Sequence, residues 1–336
     1  MFTLTLIIIG VALLFDFLNG MNDAANSIAT IVSTRVLSPK AAVAWAAFWN
    51  FAAAFGFGLA VAKTIGKGIV DTAIIDQQLI LCALLGAILW THVCTRLGIP
   101  ISVSHALIGG LTGTAIAKIG IEGVVLGGVS KVVVFIVLSP VIGMVLSFLL
   151  MIGVLWLFRR VPLRKTDRLF RIGQLVSSAF YSLGHGTNDA QKVMGIIAVL
   201  LFTTPSGVPE WMYDYSLGFY IPFWVVIAAH SSIGLGTLLG GWKVIRTMGV
   251  KLTHLKPVDG FCAELGGAIV LGGTAMAGIP VSTTHTIVGS IMGVGATRRI
   301  SAVRWGIVRR IVFAWVLTIP VSGLLGGGLM WLLDLF

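Results

Sequence analysis

The sequence is poor in charge, in cysteine and in recognisable enzyme motifs. Only 10% of its 336 residues are charged, whereas a soluble domain carries about 25%. Too few charges exist to coat a folded surface in water, which excludes a soluble enzyme and a disordered chain. The three cysteines lie in apolar runs, which argues against a disulfide framework or a zinc site. No HExxH or GxSxG motif occurs, and adjacent Ser104 and His105 cannot face each other on a helix as a hydrolase pair. We expect no enzyme.

Apolar residues and glycine dominate what is present. Apolar residues make up 57% of the chain and glycine contributes 42 positions, a composition typical of closely packed membrane helices. The net charge of +11 would suggest nucleic acid in a soluble protein, but not in this class, and we expect no nucleic-acid partner. No Lys or Arg precedes Arg35, so the first apolar run is not a signal peptide. A membrane helix needs about 20 apolar residues, and the runs predict about 10–12 membrane segments in an all-α polytopic protein. The runs cover about 3–30, 41–62, 79–97, 98–117, 131–158, 172–202, 221–241, 260–277, 279–296 and 311–333.

An internal duplication organises the chain. GIPISVSH (98–105) recurs as GIPVSTTH (278–285), an offset of 180 residues. GMNDAAN (20–26) matches GTNDAQK (186–192) at an offset of 166. These matches predict two homologous halves, 1–158 and 172–336, joined by the basic connection 159–171.

The distribution of charge predicts that the two halves are inverted. Cytoplasmic loops are enriched in Lys and Arg, and the connection 159–171 carries six of them, so it should lie inside, near anionic lipid. Each half holds five apolar runs, an odd number, so the second half should enter the membrane upside down. That arrangement puts 17 of the 23 basic residues inside and both termini outside. Inverted repeats with broken helices are typical of secondary transporters, which bind substrate where the halves meet.

Few charges remain within the apolar runs, and each needs a partner or a function. They are Asp16, Asp23, Asp189, Lys192, Glu264 and Arg96. Asp23 and Asp189 are repeat equivalents, each preceded by an asparagine. One interpretation is that Asn-Asp caps a helix that restarts after a break. The other is that the carboxylates bind a cation, and the two are compatible.

The paired GIP motifs predict half-helices that begin inside the membrane. Gly and Pro end the preceding helix, and Ser suits the start of the next one. Free N–H groups and the positive end of the dipole make such a start an anion site. Hydroxyl donors there are Ser102, Ser104, Ser282, Thr283 and Thr284. The alternative is that these hydroxyls only join helices. His105 and His285, which end the motifs, are candidates for either substrate contact or structural hydrogen bonding.

Together the four motifs resemble the signatures of the inorganic phosphate transporter (PiT) family, in its prokaryotic branch, over essentially the whole chain. The resemblance implies a homodimeric, multi-pass cell-membrane symporter for inorganic phosphate, with inverted repeats and no cofactor besides a coupling H⁺ or Na⁺. It implies substrate binding by Ser102, Ser104, Ser282, Thr283, Thr284, Asn22, Asn188 and Lys192. It implies cation coupling by Asp23, Asp189 and Asn26, with Asp23 and Asp189 as the metal ligands if sodium is used. Gln191, Glu264, His105 and His285 are further candidates.

Lys192 and Lys63 depart from the eukaryotic pattern that the resemblance implies. Eukaryotic members carry Asn at the position of Lys192 and Glu in the stretch around Lys63. We hypothesise that the Lys192 ammonium permanently supplies a positive charge that a bound sodium ion would otherwise provide. The alternative is a structural pair with Asp189 or Glu264.

Two other functions stay open on the sequence. A sulfate permease of the same family would share the anion site, although sulfate at neutral pH donates no hydrogen bond to a carboxylate and dihydrogen phosphate does. An anion channel would also use half-helix dipoles, but it would not need carboxylates inside the membrane.

Overall fold

The structure, a computed structural model, describes residues 2–56, 58–205 and 208–335. Within these residues the fold is all-helical, with a single isolated bridge between Val70 and Val124 in place of any sheet. The described part contains twelve α-helices: α1 (Phe2–Ser33), α2 (Pro39–Ala52), α3 (Ala60–Gly68), α4 (Gln77–Leu97), α5 (Val103–Ile119), α6 (Leu126–Leu157), α7 (Leu163–Thr203), α8 (Phe223–Leu239), α9 (Trp242–Lys251), α10 (Pro257–Met276), α11 (Thr283–Ala296) and α12 (Trp305–Leu333).

The helices form two series of six in matching order. Helices α4 and α5 begin at Gln77 and Val103, and α10 and α11 begin at Pro257 and Thr283, each 180 residues later. Packing crosses between the series in matched pairs: α5 contacts α12 as α11 contacts α6, and α1 contacts α8 as α7 contacts α2. This pattern agrees with a duplicated chain, while the inversion of the second series remains a prediction.

Length and apolarity mark the membrane-crossing helices. Among the residues that the structure describes, four helices are long and apolar enough to cross a membrane: α1, α4, α6 and α12. Two further spans are possible as bent pairs, α2 with α3 and α8 with α9, the second bent by 73°. The run 41–62 covers α2 and the start of α3, and the run 221–241 covers α8. In the bent pair of α8 and α9, Gly240 has a φ of 65°. Glycine adopts this left-handed conformation without strain, and it ends α8.

Helices α1 and α7 pass through the Asn-Asp motifs without interruption. The helix break that the sequence predicts there is wrong. Glycine serves close packing at these points: a Cβ on Gly20 would lie 2.2 Å from the carbonyl oxygen of Ile233, and one on Gly186 would lie 2.5 Å from that of Asn50. Asp23 and Asp189 therefore project from the middle of continuous helices.

The basic connection 159–171 is mostly helical. Helix α7 begins at Leu163, directly after Pro162, and runs for 41 residues. Arg171 pairs with Asp167 at 2.8 Å and donates to the carbonyl oxygen of Arg35 at 3.1 Å. The basic residues thus form the exposed first turns of a helix that then enters the apolar interior.

Two apolar cores lie on either side of the polar segments. On α1, the first core takes Ile8–Phe15 side chains and the second takes side chains from Ala25 to Ile31. On α7, Tyr181 belongs to the second core, whereas Ala190 to Leu201 contribute to the first. The Asn-Asp motifs lie at the boundary between the cores, in the middle of the molecule.

Candidate functional site

Two half-helix starts enter the molecule from opposite halves of the chain. Gly98 ends α4 with a φ of 70°, and Gly278 ends the turn after α10 with a φ of 66°. Ser102 then caps α5 and Ser282 caps α11, each accepting a hydrogen bond from the backbone N–H of the histidine three residues on, at 3.3 and 3.2 Å. The helix starts predicted from the GIP motifs are present. Ser102 and Ser282 are occupied as caps, so Ser104, Thr283 and Thr284 are the hydroxyls that reach other helices.

Thr283 joins the two carboxylates. Its Oγ1 lies 3.2 Å from Asp23 Oδ2 and 3.1 Å from Asp189 Oδ2. Thr284 Oγ1 lies 3.3 Å from Asp23 Oδ1. Asn26 donates its amide to both threonine hydroxyls, at 3.2 and 3.0 Å. Residues that are far apart in sequence thus converge from α1, α7 and α11 on one buried cluster, which we call the central cluster.

Lys192 brings a positive charge into the central cluster although its side chain is only 2% exposed. Its ammonium lies 2.5 Å from Asp189 Oδ1 and 2.9 Å from the carbonyl oxygen of Val281, and it also contacts the hydroxyl of Ser104. Three partners use the three N–H donors of the ammonium. Of the two structural partners considered for Lys192, Asp189 is therefore the one it contacts.

His185 faces both carboxylates from the opposite side. Asn50 donates its amide to Thr237 at 3.0 Å, so its carbonyl oxygen faces His185 Nδ1 at 3.1 Å, and Nδ1 is the donor there. This fixes the imidazole with Nε2 directed at Asp189 Oδ2, 3.3 Å away, and at Asp23 Oδ2, 3.8 Å away. A protonated Nε2 would pair with both carboxylates.

Asp23, His185 and Asp189 each offer a ligand atom, and these atoms lie within 4.8 Å of one another. A single cation between them could touch all three. Hard cations select oxygen ligands and imidazole suits softer metals. The two carboxylates and the Thr283 hydroxyl are therefore the groups that fit a sodium ion.

His105 and His285 meet beside the central cluster, with ring centroids 4.7 Å apart. His285 stacks on Trp315 at 3.6 Å and donates from Nδ1 to the carbonyl oxygen of Ile136 at 3.3 Å. Pro140 has no N–H for that carbonyl, four residues before it in α6, so the histidine replaces a missing helix hydrogen bond. This contact gives His285 a structural role.

Four of the candidate residues have partners of their own. Asn22 donates to Thr95 Oγ1 at 2.7 Å, and Asn188 accepts from the N–H of Val281 at 3.5 Å, beside the start of α11. Gln191 holds the turn before α3, donating to the Gly58 carbonyl at 2.6 Å and accepting from the Ala62 N–H at 3.1 Å.

Glu264 lies apart from the central cluster. Its carboxylate accepts from Thr30 and Ser177, both at 2.5 Å, and from Gln174 at 3.1 Å. Glu264 is therefore part of a separate buried network between α1, α7 and α10, rather than a partner of Lys192.

Sequence reasoning missed the second layer of the site. Tyr181 is fully buried and donates to the carbonyl oxygen of Thr283 at 2.9 Å, which holds the start of α11. The sequence places His185 three residues before Asn188, beside the second Asn-Asp motif, but assigns it no role. Its position four residues before Asp189 on one face of α7 was the available signal.

Comparison with known proteins identifies the family of the chain. A model of the phosphate transporter family matches residues 19–326. A probable low-affinity inorganic phosphate transporter of Rhizobium meliloti is 56% identical, with 96% of this chain and 95% of the relative aligned. One of Bacillus subtilis is 44% identical over the same shares of the two chains. The solved structure of "the sodium-dependent phosphate transporter" superposes with a TM-score of 0.88 at 27% identity, covering 99% of this chain and all of that one. The chain belongs to the phosphate transporter family and is a multi-pass membrane transport protein.

Proposed function

We propose that the protein is a secondary active symporter that moves inorganic phosphate across the cell membrane with a coupling cation, which in this chain is H⁺. Phosphate is bound by the hydroxyls Ser104, Thr283 and Thr284 with the Lys192 ammonium. Asp23, Asp189 and Asn26 form the coupling part of the site. The phosphate site is shaped by Ser102, Ser282, Asn22 and Asn188. We also propose that the protein is a homodimer and that it contacts anionic lipid.

The observation that carries the proposal is the meeting of both half-helix starts at one buried cluster. Lys192 contacts Ser104, next to the start of α5, and the Val281 carbonyl, just before α11. Helix N-termini present free N–H groups and positive partial charge to an anion. Anion donors from both halves and a fixed cation thus surround a single point.

The carboxylates favour phosphate over sulfate. Thr283 Oγ1 lies within 3.2 Å of Asp23 and Asp189, so an anion that accepts from this hydroxyl comes close to both. Dihydrogen phosphate can donate a hydrogen bond to a carboxylate, whereas sulfate only accepts and is repelled.

Lys192 favours a proton over sodium as the coupling ion. Its ammonium, 2.5 Å from Asp189 Oδ1, neutralises a carboxylate that would otherwise attract a metal ion. One charge of a cation-coupled cycle is therefore built into the protein.

The test is uptake of labelled phosphate into proteoliposomes with the sodium and pH gradients varied independently. We expect accumulation driven by an inward pH gradient without sodium, collapse of that accumulation by a protonophore, and little competition from excess sulfate. Uptake that needs neither gradient would indicate a channel, and equal competition by sulfate would remove the specificity argument. Accumulation that follows sodium alone would refute proton coupling while leaving phosphate symport intact.

A further inference from the structure

Asp16 is a buried acid outside the central cluster for which the site described above has no use. It lies in the middle of α1, its side chain is 0% exposed, and neither carboxyl oxygen has a hydrogen-bond partner among the described residues. Asn19, three residues further along α1 and also buried, is the next polar side chain on this face of the helix. An ionised carboxylate in such surroundings is very unfavourable, so the group must carry a proton or hold a cation.

A line of buried polar side chains connects Asp16 to the central cluster. Asp16, Asn19, Asp23 and Asn26 follow one another at intervals of three or four residues, and all are buried. This spacing places them on one face of a helix. Seven residues of α1 separate Asp16 from Asp23, a rise of about 10 Å. Asp16 is thus roughly two helical turns from the carboxylates of the site.

The ionisable side chains of α7 that face Asp16 are Asp189, His185 and Lys192. All three are committed to the central cluster, since His185 faces Asp189 and Lys192 pairs with it. On α8, His230 donates from Nδ1 to its own helix at the Val226 carbonyl.

The other helices around α1 supply no partner either. The basic side chains of α2, α4 and α9 whose burial the structure describes are exposed, and Glu264 of α10 is held by its own donors beside Thr30. In the described part of the chain, no hydrogen bond or ion pair neutralises an Asp16 carboxylate.

The position that matches Asp16 in the second half of the chain carries no acid. At the offset of 166 residues, Asp16 corresponds to Ser182 of α7. Ser182 is also buried without a hydrogen-bond partner among the described residues. A matching position in the same fold therefore accepts a small neutral side chain, and a carboxyl appears on one side only.

From this placement we propose that Asp16 binds the transported proton, about two helical turns from the coupling carboxylates Asp23 and Asp189. The carboxylate of Asp16 takes a proton from water on the side from which phosphate enters, forming one O–H bond. It releases that proton to water on the other side, regenerating the carboxylate, so one proton crosses per cycle. The N-terminal part of α1, which the charge pattern predicts to be near the outside, makes the external medium the donor. This proposal rests on proton-coupled phosphate symport as the function.

The experiment compares Asp16→Asn, Asp16→Glu and the matched control Ser182→Ala with the unaltered protein in proteoliposomes. Two rates are measured: phosphate–phosphate exchange without gradients, and accumulation of labelled phosphate driven by an inward pH gradient. We expect Asp16→Asn to keep exchange within about threefold and to lose accumulation, while Asp16→Glu restores accumulation and Ser182→Ala changes neither. Infrared spectroscopy of the purified protein should also show a protonated carboxylic C=O band that Asp16→Asn lacks.

Four results would overturn the proposal in distinguishable ways. Asp16→Asn with full gradient-driven accumulation and an unchanged carboxylic band would remove Asp16 as the proton site. An unaltered protein that exchanges phosphate but does not respond to pH would reject proton coupling and Asp16 with it, leaving phosphate transport intact. An unaltered protein that exchanges no phosphate would refute the proposed function itself. Loss of exchange in Asp16→Asn that Asp16→Glu does not restore would assign the residue to the structure alone.

Discussion

Replacing Lys192 by Asn tests whether a fixed ammonium takes the place of a bound cation. Lys192→Asn leaves Asp189, which is 0% exposed, without the ammonium 2.5 Å from its Oδ1. Removing one partner of a buried ion pair costs about 3–5 kcal/mol, and each 1.4 kcal/mol is a factor of ten. Without sodium, we therefore expect phosphate uptake to fall by more than about 10²-fold.

Sodium should restore a large part of this loss, because the variant gains a vacancy for one positive charge next to two carboxylates and the Thr283 hydroxyl. The assay is initial phosphate uptake into proteoliposomes over a sodium series at constant pH. The matched control is Lys118→Asn, which breaks a peripheral Lys–Asp pair of the same length, 2.5 Å, with side chains 22% and 48% exposed. Exposed pairs contribute at most about 1 kcal/mol, so this control should leave uptake and its sodium dependence unchanged.

A double variant separates the loss of charge from a loss of fold. Adding Asp189→Asn to Lys192→Asn removes the uncompensated charge, so thermal stability should recover relative to Lys192→Asn alone, as a non-additive pair requires. If Lys192→Asn transports phosphate with the same cation dependence as the unaltered protein, the ammonium does not stand in for a cation and the reasoning is wrong.

Two further substitutions probe the cluster and its framework. Thr283→Val removes the hydroxyl shared by both carboxylates. Hydrogen bonds to charged groups contribute about 1.5–3 kcal/mol, so phosphate uptake should fall at least ~10-fold. The control Thr286→Val loses only a bond to its own helix at the Ser282 carbonyl and should retain uptake; equal effects of the two changes would contradict the role of Thr283. Gly113→Ala would place a Cβ 2.1 Å from the carbonyl oxygen of Gly323, where α5 meets α12. Overpacking of this kind costs about 1–3 kcal/mol, so the melting temperature in detergent should drop. A Cβ on Gly10 would have nothing within 4 Å, so the control Gly10→Ala should leave the melting temperature unchanged. Equal melting temperatures of the two variants would contradict the contact between Gly113 and Gly323.

The helix starts and the helix breaks differ in how well local sequence predicts them. The starts of α5 and α11 follow from Gly, Pro and Ser in an order whose conformational preferences are local, and the structure has both. The breaks expected at the Asn-Asp motifs are absent, because Gly20 and Gly186 serve contacts with α8 and α2 that no local pattern reveals. A glycine in a membrane sequence is ambiguous in this way until its neighbours are known.

The partners of the candidate residues also depended on three-dimensional packing. Lys192 had two acids as candidate partners in the sequence, and only its position three residues from Asp189 on α7 favours the contact observed. Gln191, its immediate neighbour, points instead to the turn before α3. Adjacent residues on a helix face different directions, so a motif in the sequence does not form one site in space.

The sequence by itself determined the class of protein, its helical spans, its duplication and its family, because these depend on composition, periodicity and repeated motifs along the chain. Only the tertiary structure decided which polar groups share one buried cluster. Thr283 lies 260 residues from Asp23 and 94 from Asp189, and contacts over such separations arise from how helices of the two halves pack. The same packing leaves Asp16 without a partner among the described residues, since whether a buried charge is paired depends on the helices opposite it.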